Sequence, residues 1–191
     1  MNEIKRYLEE LNATIANLDT NSWDLAAEIL LDAYRNNKSV WIAGNGGNLA
    51  NSMHYATDWS KGLYVHSGKA LHVQSLSENI STASAFANDI GFVEQYSNHL
   101  RMVAKPEDIL VLLTAGGGSL NILTAAETAT QLGLKIIGLT GGIGMVHTQL
   151  FDVHIHINSH NIQLVEDIHA IFGHSMLKYL MSSIPATVRD I

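Results

Sequence analysis

DILVLLTAGGGSLNIL, residues Asp108 to Leu123, is the stretch on which the fold turns. Its first eight residues form a short apolar run of strand length, of the kind buried on both faces of a sheet. Gly116-Gly117-Gly118 then turns the chain, and Ser119 to Gln131 carries helical spacing. A strand feeding a tight turn and a helix is the half-unit of a parallel sheet covered by helices.

The same grammar extends in both directions. SVWIAG (39–44) reads as a buried strand, followed by the turn Gly44-Asn45-Gly46-Gly47 and a helix from about Asn48 to Lys61. ALHVQSL (70–76), LKIIGLTG (134–141) and FDVHIHIN (151–158) supply three more strands. Helical segments are expected over Glu78 to Ala87, Gly91 to Val103 and Gln163 to Ser183, with a break at Asn88-Asp89. Two helices lead the chain, the first carrying Ile4, Leu8, Leu11 and Ile15 and the second Leu25, Ile29, Leu30 and Ala33. The expected fold is α/β: a single domain over residues 1–191, with a five-stranded parallel sheet flanked by helices. Ligands in such sheets bind outside the carboxyl ends of the strands. Both glycine turns fall there.

Composition narrows the chemistry. The 191 residues suit one core, and 47% hydrophobic with 15% charged residues argues for much buried surface. So few charges are what a surface covered by other subunits would leave. With no cysteine, disulfides, thiolate nucleophiles and thiolate metal sites are excluded, so a metal must use histidine, carboxylate or amide ligands. A net charge of -7 without a basic run speaks against a nucleic-acid partner. No apolar run approaches the roughly 18 residues of a membrane span, so no membrane association is expected and the cytosol is the expected compartment.

A dinucleotide reading of Gly44-Asn45-Gly46-Gly47-Asn48-Leu49 fails at Leu49, where a small residue is required. It fails again at His72 to Ser75, where no acidic residue closes the next strand to hold a ribose. Two readings stay open for both turns. Gly46, Gly47 and Asn48, like Gly117, Gly118 and Ser119, can offer backbone N–H groups to a phosphate or sugar at a helix start. They can equally be tight strand-to-helix turns in which glycine relieves strain.

GNGG followed by MHYATDW, ANDIGF at 87–92, LLTAGGGSLNIL and VEDIHAIFGH together resemble the sugar isomerase (SIS) domain family, and within it the phosphoheptose isomerases. The resemblance runs from the leading helices to the final helix. It implies a flavodoxin-like three-layer sandwich and a metal-assisted aldose–ketose isomerase, which converts sedoheptulose 7-phosphate to D-glycero-D-manno-heptose 7-phosphate. It also implies a homotetramer with sites between subunits, the helices of residues 1–37 serving oligomer packing.

His54 and Asp58 lie four apart on the helix after the first turn, so they point the same way and can reach one ion or one substrate. That spacing also allows a solvated polar stripe. In the family the matching pair is histidine and glutamate, both zinc ligands. The resemblance therefore implies a divalent metal, zinc, held by His54, Asp58, Glu166 and His174, with Asp58 and His174 as the proton-transfer pair. It implies substrate contacts from Asn45, Gly46, Gly47 and Asn48, from Asn88 and Asp89, from Thr114, Ala115, Gly116 and Ser119, and from Glu166.

Ketose–aldose isomerisation moves a proton between neighbouring carbons through an enediol, so it needs a base, an acid and oxyanion stabilisation. Asp58, His174 and the metal would fill these roles, in either assignment of acid and base. Several positions depart from the family pattern. Asp58 replaces glutamate, Glu166 replaces glutamine, Asn48 replaces serine and Gly62 replaces arginine, while only Thr114 and Ser119 keep hydroxyls in a turn that the family fills with them. Glu166 and His174 stand eight residues apart, about 12 Å of rise on one helix. That separation resists a single-ion set within one chain. His169 is either a competing ligand or a buried core histidine; His154 and His156 share one strand face and are expected to pack against a neighbour. Asn88-Asp89 can also be a plain helix break, with Asp89 capping the next helix. Two further readings are a noncatalytic SIS-domain module that binds a sugar phosphate or a protein, and an isomerase with an altered substrate.

Overall fold

A computed structural model describes residues 2–142, 144 and 147–187. Two helices open the chain, α1 (Glu3–Ala16) and α2 (Thr20–Asn36). Each begins where an acceptor side chain, Asn2 or Asp19, takes a backbone N–H of its first turn. The chain then alternates: β1 (Ser39–Gly44), α3 (Gly47–Thr57), α4 (Leu63–Ser67), β2 (His72–Ser75), α5 (Ile80–Asp89), α6 (Gln95–Val103), β3 (Ile109–Thr114), α7 (Leu120–Leu132), β4 (Lys135–Thr140), β5 (Val153–His156) and α8 (Ile162–Ser183). The five strands make one parallel sheet in the order β2-β1-β3-β4-β5. The order in which strands are added reverses between β1 and β3, which makes the crevice where open α/β sheets bind ligands. The two glycine turns follow these two strands.

Alternation within the strands splits the core in two. Val40, Ile42, Val111, Leu113, Ile137 and Leu139 pack with α2, α3 and α8. Trp41, Ala43, Leu110, Leu112 and Ile136 pack on the other face with α6 and α7. Helices α1 and α5 bury no residue, and Ile4, Leu8, Ile80, Ile90 and Phe92 are exposed. No helix among the described residues is long and apolar enough to cross a membrane.

The structure refines several boundaries. The helix expected from Asn48 continues past Lys61, because a π-helical turn, Asp58–Gly62, joins α3 to α4. The break expected at Asn88-Asp89 comes later: α5 runs through Asp89, and the chain turns at Gly91 (φ 125°). Asp89 therefore does not cap the next helix.

The contact that seats α3 on α8 is made by aromatic rings against one glycine. Tyr55 stacks on Trp59 with ring centres 4.9 Å apart, and the Trp59 indole N–H donates to the Gly173 carbonyl at 2.8 Å. A methyl group on Gly173 would collide with the Tyr55 ring, which is fully buried. Gly173→Ala is therefore expected to lower stability by about 1–3 kcal/mol through overpacking. Urea unfolding of the variant beside the wild type measures this.

Candidate active site

Because Tyr55 follows His54 and Gly173 precedes His174, the close helix packing sets the distance between the two histidines. Their Nε2 atoms lie 2.9 Å apart. Asp58 Oδ2 is 3.3 Å from His54 Nε2 and 3.7 Å from His174 Nε2. Asp58 opens the π-helical turn, a local widening that recurs at functional sites. Both imidazoles are about half exposed. These three donor atoms all lie within 4.8 Å of one another, the one such group among the described residues. Two imidazole nitrogens and a carboxylate oxygen so gathered fit one divalent cation with a coordination position left open, the pattern of catalytic sites.

Glu166 does not join this group. The rise of α8 carries it away from His174 and brings it to the other end of α3. There it fills the space beside Gly47, where any side chain would overlap its carboxylate. Burial raises its pKa, while the Asn48 backbone N–H lowers it and the Asp167 charge raises it further. Asn51 Nδ2 fixes the base of this segment by donating to the Glu166 carbonyl at 3.0 Å.

The first turn depends on glycine. Gly46, before α3, adopts φ 58° and ψ −123°, a conformation reserved for glycine. Asn48 behind it is 2% exposed, and its side-chain oxygen accepts from His169 Nδ1 at 2.7 Å. His169 is thus the buried core histidine of the two sequence readings. Burial pushes its pKa down to about 3, which keeps the ring neutral. Asn45 is held by Asn121 through two amide hydrogen bonds, 2.8 and 2.9 Å.

In the second turn Thr114 Oγ1 accepts the Gly117 N–H at 3.1 Å, while Gly116 and Gly118 are exposed and Ala115 is half-buried. Ser119 precedes α7 without capping it by its side chain. Asn88 and Asp89 are exposed at the end of α5, where Asn88 Nδ2 donates to Asp89 Oδ1 at 2.8 Å. His154 and His156 do share a face, with Thr140 Oγ1 lying 2.8 Å from one ring and 3.1 Å from the other.

The fold has counterparts among known proteins. The SIS domain model matches residues 2–141. The chain belongs to the SIS domain family. The phosphoheptose isomerase of Chlorobaculum parvum is 32% identical over 180 residues, 92% of this chain and 85% of that protein. That of Rhodospirillum rubrum is 33% identical over 149 residues, covering 78% and 79%. The solved structure of a phosphoheptose isomerase from Francisella tularensis superposes with a TM-score of 0.84 at 26% identity, covering 93% of this chain and 96% of that one. Within the SIS family the chain stands with the phosphoheptose isomerases, and it is an isomerase.

Asn121 and Tyr96, which brace the first turn, lie outside the sequence expectations. Tyr96 O–H donates to the Gly44 carbonyl at 2.6 Å, behind the first turn. The available signal was an asparagine among the apolar residues of Leu120-Asn121-Ile122-Leu123, which needs partners when buried.

Holding His169 neutral has a consequence for stability. Its pKa is about 3 in the fold against an ordinary 6.5, so the unfolded chain takes up the proton first as pH falls. Stability is complete above 6.5 and is lost as pH drops toward 3. Between pH 7 and pH 5 this one group should cost about 2 kcal/mol, a loss that His169→Gln escapes. Urea midpoints for both proteins at the two pH values measure the difference.

Proposed function

We propose that this isomerase converts sedoheptulose 7-phosphate to D-glycero-D-manno-heptose 7-phosphate, with His54, Asp58 and His174 holding a zinc ion. The observation that carries this reading is the convergence of those three side chains on one point. It is supported by the names of the relatives just described.

Gly47 and His54 are seven residues apart on one face of α3, about 10 Å along its axis. An extended sugar phosphate has the length to run from the glycine turns to the histidine group. In this reading the second turn receives the phosphate through the N–H groups of Gly118 and Ser119 and the hydroxyls of Thr114 and Ser119, while the Gly117 N–H stays on Thr114 Oγ1. The first turn, with Glu166 beside it, receives sugar hydroxyls, and Asn88 and Asp89 add further ones. A carboxylate in the first turn would repel phosphate, which supports assigning that group to the second turn.

At the reacting end, Asp58 turns Oδ2 toward both histidines, which leaves Oδ1 outside those contacts. Asp58 takes the proton from C1, and the electron pair forms the C1–C2 double bond of an enediol. His174, through Nδ1, the ring nitrogen outside the metal-holding group, gives a proton to the C2 oxygen and later takes one from the C1 oxygen, while the proton on Asp58 returns at C2. Zinc, when bound, supplies polarisation of the carbonyl. The exposed apolar residues of α1 and α5 support a homotetramer with sites between subunits, in which residues 1–37 pack against other copies. The protein would act in the cytoplasm.

Removing His54 or the Asp58 charge should strip the metal and lower kcat at least 100-fold. Metal content by plasma mass spectrometry, together with turnover of sedoheptulose 7-phosphate by wild type, His54→Ala and Asp58→Asn, checks this. Equal metal in all three would overturn the site, and a metal-saturated wild type without turnover would overturn the substrate.

A further inference from the structure

Asn45 and Asn121 form a closed amide pair. Asn45 Nδ2 donates to Asn121 Oδ1 at 2.8 Å, and Asn121 Nδ2 donates back to Asn45 Oδ1 at 2.9 Å. The two residues are 76 positions apart in the chain. One belongs to the first glycine turn, and the other lies in the opening turn of α7, two residues beyond Ser119. Two reciprocal bonds fix orientation as well as distance, because rotating either amide breaks both. Asn121 is 1% exposed, so its polar atoms have no solvent to fall back on.

A second set of bonds braces the same place from α6. The single phenolic proton of Tyr96 goes to the Gly44 carbonyl at 2.6 Å, so the Ser77 hydroxyl, 3.1 Å away, is the donor to the Tyr96 oxygen. Tyr96 is 1% exposed. Its oxygen also lies 3.4 Å from Asn45 Oδ1. The backbone at Gly44-Asn45 is therefore pinned to two different helices, while the glycines that follow it carry no side chain to pin.

We propose that Asn121 is a positioning residue that, through Asn45, sets the spacing between the two glycine turns and so the affinity for a sugar bearing a phosphate. This rests on the isomerase reading above, in which one turn holds the phosphate and the other the sugar hydroxyls. A ligand that touches both turns gains from their fixed separation, because less order must be imposed on binding. The histidine group is built on the α3–α8 contact and does not depend on this pair.

The test is a double-mutant cycle on Asn45→Ala, Asn121→Ala and the double variant, read as KM and kcat for sedoheptulose 7-phosphate, metal content and melting temperature. Asn121→Ala should raise KM about tenfold, keep kcat within about twofold and keep the metal, and the double variant should be little worse than either single one. If Asn121→Ala does not fold, Asn121→Asp takes its place: it keeps the volume and removes the donor to Asn45. Unchanged KM, additive losses, or a fall in kcat with KM constant would overturn the proposal. A wild type that does not turn the sugar over overturns the substrate assignment instead. The same cycle is then read by calorimetric affinity for that sugar phosphate: coupled losses support the amide pair's role, whereas additive losses or no binding by the wild type overturn it.

Discussion

The approach of α3 to α8 at Tyr55 and Gly173 is the constraint from which the site follows. Helices joined by ordinary side chains pack with axes roughly 8–10 Å apart, and a glycine at the contact lets an aromatic ring fill the place of a side chain. Here the ring is Tyr55, stacked on Trp59 and facing Phe172. The residues flanking this contact, His54 and His174, have no choice of separation. Three groups with chemical roles are thus positioned by the apolar contact beside them, which is why the packing residues and the candidate ligands alternate along both helices.

The turns obey a different logic. They sit at the carboxyl ends of β1 and β3, where sheet order makes a crevice without any side chain having to form it. Glycine brings backbone N–H groups within reach of a ligand but leaves the loop poorly determined. The surroundings compensate: Thr114 accepts the Gly117 N–H, and His169 holds the side chain of Asn48. Each bond comes from a buried group, so the determination is inherited from the core. Glu166 adds a negative charge to a helix start that would otherwise favour an anion, and its burial raises its pKa.

Much of this was legible in the sequence. Uninterrupted apolar runs in Ile109 to Leu113 and Val40 to Ala43 identified buried parallel strands, because those residues have no polar face to turn outward. The four-residue spacing of His54 and Asp58 identified two of the three members of the histidine–carboxylate group. Strand order, the π-helical turn at Asp58 and the Asn45–Asn121 pair were not legible, since each depends on contacts between distant segments that no local periodicity encodes. The separation of Glu166 from His174 was foreseeable from helix rise alone, but its destination beside Gly47 was not.

The departures that the sequence resemblance implies fall at the histidine group and at the glycine turns, and they are of two kinds. At the histidine end, glutamate becomes the shorter Asp58, which lies on a widened helical turn within 3.7 Å of both histidines. At the turns, the resemblance sets Ala115 and Gly116 where the family has hydroxyls, and Glu166 where it has glutamine. The first kind preserves donor chemistry and changes reach by one methylene, a difference that backbone geometry can absorb. The second kind removes hydrogen-bonding groups, and no backbone adjustment restores a missing hydroxyl. Under the proposed function, the grip on the unreactive part of a ligand therefore falls to backbone N–H groups, and the first of the two turns is braced from the core through Tyr96 and Asn121.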